Sequence, residues 1–186
     1  MDVKINRNYP GIIILIGPPG AGKTTYRKAF MEQAKKIPFD CYPISSDELR
    51  TYKKEHHLVW DNATLFAEIK EKMLYILTDG SWVILDATNC NKLHRSGMVK
   101  KIRKTVPNTQ IIGVVFDSSL YDCLTQNHNR DVVVPDDVVI KMWENLRDNP
   151  PSISEGFDVI VNSNTSITYS LGLELCGSCY RPKHID

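Results

Sequence analysis

No apolar run in the 186 residues approaches membrane-spanning length, and no basic region followed by a long apolar segment opens the chain. The expectation is a soluble, intracellular protein without a membrane partner. An excess of one charge is also missing: 23 Lys and Arg stand against 22 Asp and Glu, a net +1. That balance argues against holding nucleic acid by a broad positive field and leaves only a local grip. A patch such as Lys100, Lys101, Arg103 and Lys104 could supply one, although such a helix face more often serves solvation. Cysteine is scarce and odd in number, five in all, which argues against a secreted disulfide framework. Cys176 and Cys179 have the spacing of half a zinc site, but only His184 lies near to complete it, so incidental thiols are the favoured reading. Internal repeats, low-complexity tracts and linkers are absent too. One domain over 1–186 is expected, with a core at about 11–162 and a C-terminal extension at 163–186.

What is present is a glycine-rich turn in an informative place. Gly17-Pro18-Pro19-Gly20-Ala21-Gly22-Lys23-Thr24, followed by Thr25, fits the phosphate-loop spacing of Gly, four residues, then Gly-Lys-Ser/Thr. The apolar run Ile12 to Ile16 precedes it and a helix-forming run to about Lys36 follows, which is the context the motif requires. Gly17 and Gly22 let the backbone turn and approach phosphate oxygens, and the N–H groups at a helix N-terminus favour an anion. The spacing places Lys23 on the β- and γ-phosphates of a nucleotide and the Thr24 hydroxyl on its magnesium.

Along the rest of the chain, apolar strands alternate with helical patterns. Strands are expected at 11–16, at 39–45 as a short strand or loop, and at 82–85, 110–116 and 157–161. Helices are expected at 23–36, 48–54, 62–77, 92–104, 120–129 and 136–146, with Ser46 or Asp47 capping the second. Residues 1–10 read as a frayed lead-in, and beyond Asn164 the chain holds a small helix or wanders. Continuous rather than alternating apolar strands imply an α/β fold: a five-stranded parallel sheet covered by helices on both faces.

Ligands in such sheets bind beyond the carboxyl ends of the strands, which gathers the phosphate loop, Asp47, Asp86 and Asp117. Asp47 can take the proton of an attacking hydroxyl, and Arg50, one helical turn on, can hold a phosphate or sugar of the acceptor. Asp86, closing Val83-Ile84-Leu85, suits a metal-bound water or a site arginine. Arg95 could reach inward from the next helix, or lie on the surface. Arg130 sits where a short mobile lid would close over phosphates.

The ordered set resembles the 5′-hydroxyl polynucleotide kinase domain of phage and bacterial end-healing enzymes, within the wider group of phosphate-loop kinases. The resemblance rests on the GPPGAGKTT loop, Ser45-Ser46-Asp47 with Arg50, Asp86-Ala87-Thr88-Asn89, Cys123 through Asn127 to Arg130, Val134-Pro135 and Glu155-Gly156-Phe157, across about 11–162. It implies ATP and Mg2+ as cofactors, held by Lys23, Thr24 and the rest of Gly17–Thr25 with Arg130, and Thr24 and Asp86 at the metal. It implies Asp47 as general base, Arg50 on the acceptor's 3′-phosphate, Asp86 as site organiser and Arg130 as lid arginine. DNA or RNA would be the acceptor. Gln126 stands where the family typically has an arginine, which removes one expected cationic contact. Neither the Asp-x-Asp-Gly-Thr phosphatase signature nor the Lys-x-Asp-Gly ligase signature occurs. The residues themselves leave other acceptors open: a 5-hydroxymethyluracil base in DNA, or a nucleoside or other small molecule. They also leave open a nucleotide-dependent switch. For a polynucleotide, the mixture of Arg50, Tyr52, Lys53, Lys54, His56, His57 and Trp60 is the expected groove.

Overall fold

The computed structural model describes residues 3–6, 8–169 and 174–175. The chain opens with β1 (Val3–Ile5) and β2 (Gly11–Ile16). β3 (Cys41–Ser45), β4 (Trp82–Asp86), β5 (Gln110–Val115) and β6 (Val159–Asn162) follow, and β7 (Ile167–Tyr169) and β8 (Glu174–Leu175) come last. Five of these form one parallel sheet in the order β3-β4-β2-β5-β6. The helices between them are α1 (Lys23–Ala34), α2 (Ser46–Glu55), α3 (Asn62–Thr78), α4 (Lys92–Thr105), α5 (Leu120–His128) and α6 (Asp136–Asp148). The expected α/β architecture is the one observed.

β2 is central because nothing in it needs water. All six of its residues are buried, and strand alternation sends them to opposite faces. Ile13 and Leu15 pack with Tyr26, Phe30, Trp82 and Ile84 on one side. Ile12, Ile14 and Ile16 pack with Leu65, Met73, Val83 and Phe157 on the other. Gly11 is required where the strand starts: a Cβ there would stand 2.3 Å from the Trp82 ring.

Four of the six α-helices start at side-chain caps. Ser45, the last residue of β3, accepts from the Glu48 amide and so starts α2 at Ser46. That places Asp47 in the first helical turn rather than in a loop, and corrects the expected cap at Ser46 or Asp47. Asp61 and Thr64 form a reciprocal capping box at α3, and Asn91 and Ser119 cap α4 and α5. β6 begins two residues later than expected; just before it the Ile111 amide of β5 donates to the Asp158 side chain at 2.7 Å instead of to a strand carbonyl.

Residues 3–5, expected as part of a frayed lead-in, form a strand. Val3 and Ile5 are buried, and β1 pairs in parallel with β7, which pairs antiparallel with β8 in a separate three-stranded sheet. Apolar alternation over three residues is too short a signal to distinguish such a strand from a tail. The expected helix or irregular path beyond Asn164 is replaced by these two strands where the chain is described. Cys176 and Cys179 lie outside the described residues.

Arg95 reaches neither the surface nor the cleft. Only 1% exposed, it places Nε and one terminal nitrogen on the two Glu155 oxygens, both at 2.8 Å. Its remaining N–H groups donate to the carbonyls of Asn89, Cys90 and Asn149. The pair fastens the loop after β4 to the segment before β6. Burial, the largest single influence, would push the Glu155 carboxyl up. The hydrogen bond and charge of Arg95, with the Ser152 amide and Ser96 hydroxyl, outweigh it and hold Glu155 below its ordinary value.

Removing one partner of such a buried pair strands the other's charge. Glu155→Ala is expected to lower unfolding free energy by ~3 kcal/mol or more, read by urea denaturation at pH 7. Because the folded-state pKa is depressed, the Glu155 contribution is complete above the unfolded value of about 4.3 and fades as pH falls through the folded value. Stability of the variant should accordingly fall less steeply below pH 5 than that of the wild type.

Candidate active site

The turn from β2 into α1 is built by backbone constraints. Gly20 and Gly22 hold φ of 80° and 89°, left-handed values that suit glycine. A Cβ at Gly20 would also stand 2.1 Å from the Cys123 carbonyl oxygen, so the loop is seated directly on α5. Gly17 donates its N–H to the Thr88 carbonyl at 2.9 Å and passes close to Phe116. Pro19, Gly20, Gly22, Lys23, Thr24 and Thr25 line a large cleft; Gly17, Pro18 and Ala21 form the loop's support rather than its lining.

Lys23 is 8% exposed and donates to the Pro18 carbonyl at 2.7 Å, folding back over the loop. Burial, the largest cause, pushes its pKa down, opposed by Asp86, Cys90 and Asp47. Next along the helix, the Thr24 hydroxyl donates to Asp86 Oδ2 at 2.9 Å. The parallel pairing of β2 with β4 is what places the two at the same end of the sheet. Thr24 and Asp86 make an oxygen donor set suited to a hard cation that keeps waters and takes further ligands from phosphate. Among the described residues no group of three or more His, Cys, Asp and Glu side chains forms a closed metal site.

Asp86 has a second partner that sequence reading missed. Arg27, one helical turn after Thr24 and 5% exposed, donates Nε to the same Oδ2 at 3.1 Å and pairs through a terminal nitrogen with Glu48. It ties α1, the end of β4 and the first turn of α2 together. The available signal was the Thr24-x-x-Arg27 spacing on a helix facing the strand that ends in Asp86.

On the opposite wall, Asp47 receives two arginines. Arg50 donates to Oδ1 at 2.9 Å, and Arg130 donates to Oδ2 at 2.6 Å. Arg50 is itself held by Asn62 Oδ1 at 3.4 Å and lies 5.7 Å over the Phe66 ring. Arg130 arrives from the segment between α5 and α6, whose base is closed by the fully buried Asn127. Its side-chain amide donates to the Val134 carbonyl at 2.7 Å and accepts from the Val134 amide at 3.1 Å.

Lys23, Thr24, Asp47, Arg50, Asp86 and Arg130 thus line one cleft of ≈ 2270 Å³. Asp117 does not: it is exposed outside it. Of the expected groove, Arg50, Lys53, Lys54, His57 and Trp60 line the cleft. Tyr52 and His56 lie outside it, their ring centroids 4.1 Å apart, and Lys53 is engaged by Glu68 at 2.6 Å. The three described cysteines are buried, and burial pushes Cys41 up to about 12 and Cys90 up to about 11, as it raises Cys123. Thiols so held are protonated packing groups rather than nucleophiles.

The chain matches the AAA domain family over residues 12–151. Solved structures share its fold. One is a chain of the Pnkp1/Rnl/Hen1 RNA repair complex, 18% identical with a TM-score of 0.60, the match covering 81% of this chain and 47% of that one. The present chain thus spans about half the length of that neighbour. A putative kinase from Chloroflexus aurantiacus is 18% identical, TM-score 0.60, covering 83% of this chain and 88% of that one. The tunicamycin resistance protein of Deinococcus radiodurans is 15% identical, TM-score 0.54, covering 83% and 86%.

The geometry makes three stability predictions. Arg27→Leu strands the 4% exposed Asp86 carboxylate and should cost ~3 kcal/mol in urea denaturation. Glu48→Gln, whose side chain is 60% exposed, should cost under about 1 kcal/mol. For Lys23 the sign is opposite. A depressed lysine pKa means that the charged form is disfavoured by folding, at a cost present below the folded-state value and relieved as pH rises above it. Lys23→Met should therefore melt at or above the wild-type temperature without nucleotide; a clear fall would show that its bond to Pro18 stabilises the empty loop.

Proposed function

The chain belongs to the AAA domain family and has the α/β fold of phosphate-loop kinases, and on that premise we propose that it is a kinase dependent on ATP and Mg2+. The acceptor in this reading is the 5′-hydroxyl end of a DNA or RNA strand. The observation that carries it is the arrangement at Asp47, where a carboxylate lies between an acceptor-side arginine and a lid arginine in the same cleft as Lys23 and the Thr24–Asp86 pair.

The loop Gly17–Thr25 cradles the triphosphate, with Lys23 on the β- and γ-phosphates. Thr24 and Asp86 would hold Mg2+, which supplies charge neutralisation at the transferring phosphate. Phosphates entering the cleft compete for the guanidinium of Arg130, and a phosphate on the acceptor competes for that of Arg50. Asp47, relieved of both, accepts the proton of the attacking hydroxyl. The hydroxyl oxygen bonds to the γ-phosphorus as the bond to the β-γ bridging oxygen breaks, leaving ADP and a phosphomonoester. Arg130 then meets the charge that develops on the transferring group. The polynucleotide acceptor is supported by the ordered motifs from Ser45 to Phe157 and by the fold shared with a chain of an RNA repair complex.

The test is transfer of labelled γ-phosphate from ATP and Mg2+ to a parallel panel of acceptors. The panel holds 5′-hydroxyl DNA and RNA oligonucleotides, duplex DNA containing 5-hydroxymethyluracil, nucleosides and nucleoside monophosphates. Label at an oligonucleotide end is the expected result. Label on the modified base, or only on a small molecule, replaces the acceptor; no transfer despite ATP binding replaces the kinase by a nucleotide-dependent switch. Asp47→Ala should lower kcat by ~10²-fold or more and leave ATP affinity nearly unchanged. Lys23→Ala should lose both.

A further inference from the structure

The cleft has more room than a nucleotide and a small acceptor need. Its ≈ 2270 Å³ is more than twice the ~1000 Å³ at the upper end of ordinary small-ligand pockets. The lining that does not belong to the phosphate loop or to Asp47 and Asp86 includes one stripe from each of three helices. The stripes run over 62–70 of α3, 93–101 of α4 and 137–145 of α6. Each is about 12 Å long at ~1.5 Å per residue.

The chemistry of the three stripes is alike. Lys70, Lys101 and Lys141 are exposed residues of this lining, and none is in an ion pair among the described residues. Asp137 is the one carboxylate among their lining residues, Glu68 and Glu144 lying in the same ranges but off the lining. Between the charges the lining is apolar and open, with Phe66 44% and Leu93 82% exposed beside Met98. Unpaired cations interleaved with accessible apolar and aromatic surface match a single strand, whose phosphates need charge and whose bases need flat contact.

Resting on the polynucleotide reading of the previous section, we propose that this trough binds the acceptor strand beyond its reacting end. The lysines take phosphodiester groups, and bases lie against Leu93 and against the part of Phe66 that Arg50 leaves exposed. At ~3.4 Å per nucleotide, 12 Å accommodates about three stacked nucleotides past the one at Asp47. DNA and RNA share this chemistry. The acceptor is therefore selected by its length as well as by its end.

The experiment measures KM for 5′-hydroxyl DNA and RNA acceptors of two, four, eight and sixteen nucleotides, on wild type and on two triple variants of the full chain. In the wild type KM should fall between two and about four or five nucleotides and then level off. Lys70→Glu/Lys101→Glu/Lys141→Glu should raise KM for the octamer at least tenfold, towards that of the dinucleotide. It should also make the slope of log KM against log salt shallower by ~2, at ~0.7 per lost phosphate contact. Lys72→Glu/Lys100→Glu/Lys104→Glu changes net charge equally on exposed positions of α3 and α4 outside the cleft, and should keep the length dependence. A first triple variant that retains the wild-type length dependence, or a control that loses it, overturns the trough while oligonucleotide phosphorylation leaves the kinase reading standing. Transfer to small molecules with none to any oligonucleotide overturns both. One class of nucleic acid showing the effect and the other not identifies the source of the strand.

Discussion

The hydrogen bond from Thr24 to Asp86 is the point to which the rest of the cleft is referred. It exists because β2 and β4 are parallel neighbours, so that the loop leaving one strand and the carboxylate closing the other emerge at the same edge. Arg27, one turn along the same face of α1, fixes Asp86 as well and joins it to Glu48, one residue beyond Asp47. The phosphate-loop side of the cleft and the Asp47 side are thereby braced through a buried guanidinium. Such a charge is costly to desolvate, and its partners on two other elements are what make its burial tolerable.

Asp47 is held by contacts of a different kind. Its arginines come from α2 and from the segment between α5 and α6, and all three side chains keep solvent access. Exposed pairs are weak and exchangeable, so phosphate groups can compete for these arginines. The buried Arg95–Glu155 pair and the Asn127–Val134 bonds are placed where the frame must not move. Rigidity under the site and exchangeability inside it are divided between buried and exposed polar groups.

Much of this was legible in one dimension. The phosphate loop announces itself by spacing, and the strand that feeds it by an unbroken apolar run. Helix starts were recoverable to within a few residues from apolar periodicity, because that pattern repeats over a few turns. Arg95 was not recoverable. An arginine on a helix reads as surface or as ligand until Glu155, 60 positions away, is seen to neutralise it. The same holds for Arg27, for the escape of Asp117 from the cleft, and for β1, whose partner lies at the other end of the chain.

The amino-acid sequence by itself determined the strand and helix alternation of the main sheet, the position of the phosphate loop and the candidacy of Asp47, Arg50, Asp86 and Arg130 for the cleft. Those follow from period, spacing and turn chemistry, all of which act over a few residues. Only the tertiary structure decided which charges meet: Asp86 with Arg27, Asp47 with Arg130, Arg95 with Glu155, and three lysines on one open lining. Pairings across tens of residues depend on strand order and helix facing. They are set when the apolar faces of β2 are covered, and the polar groups then take the partners that this burial brings within reach.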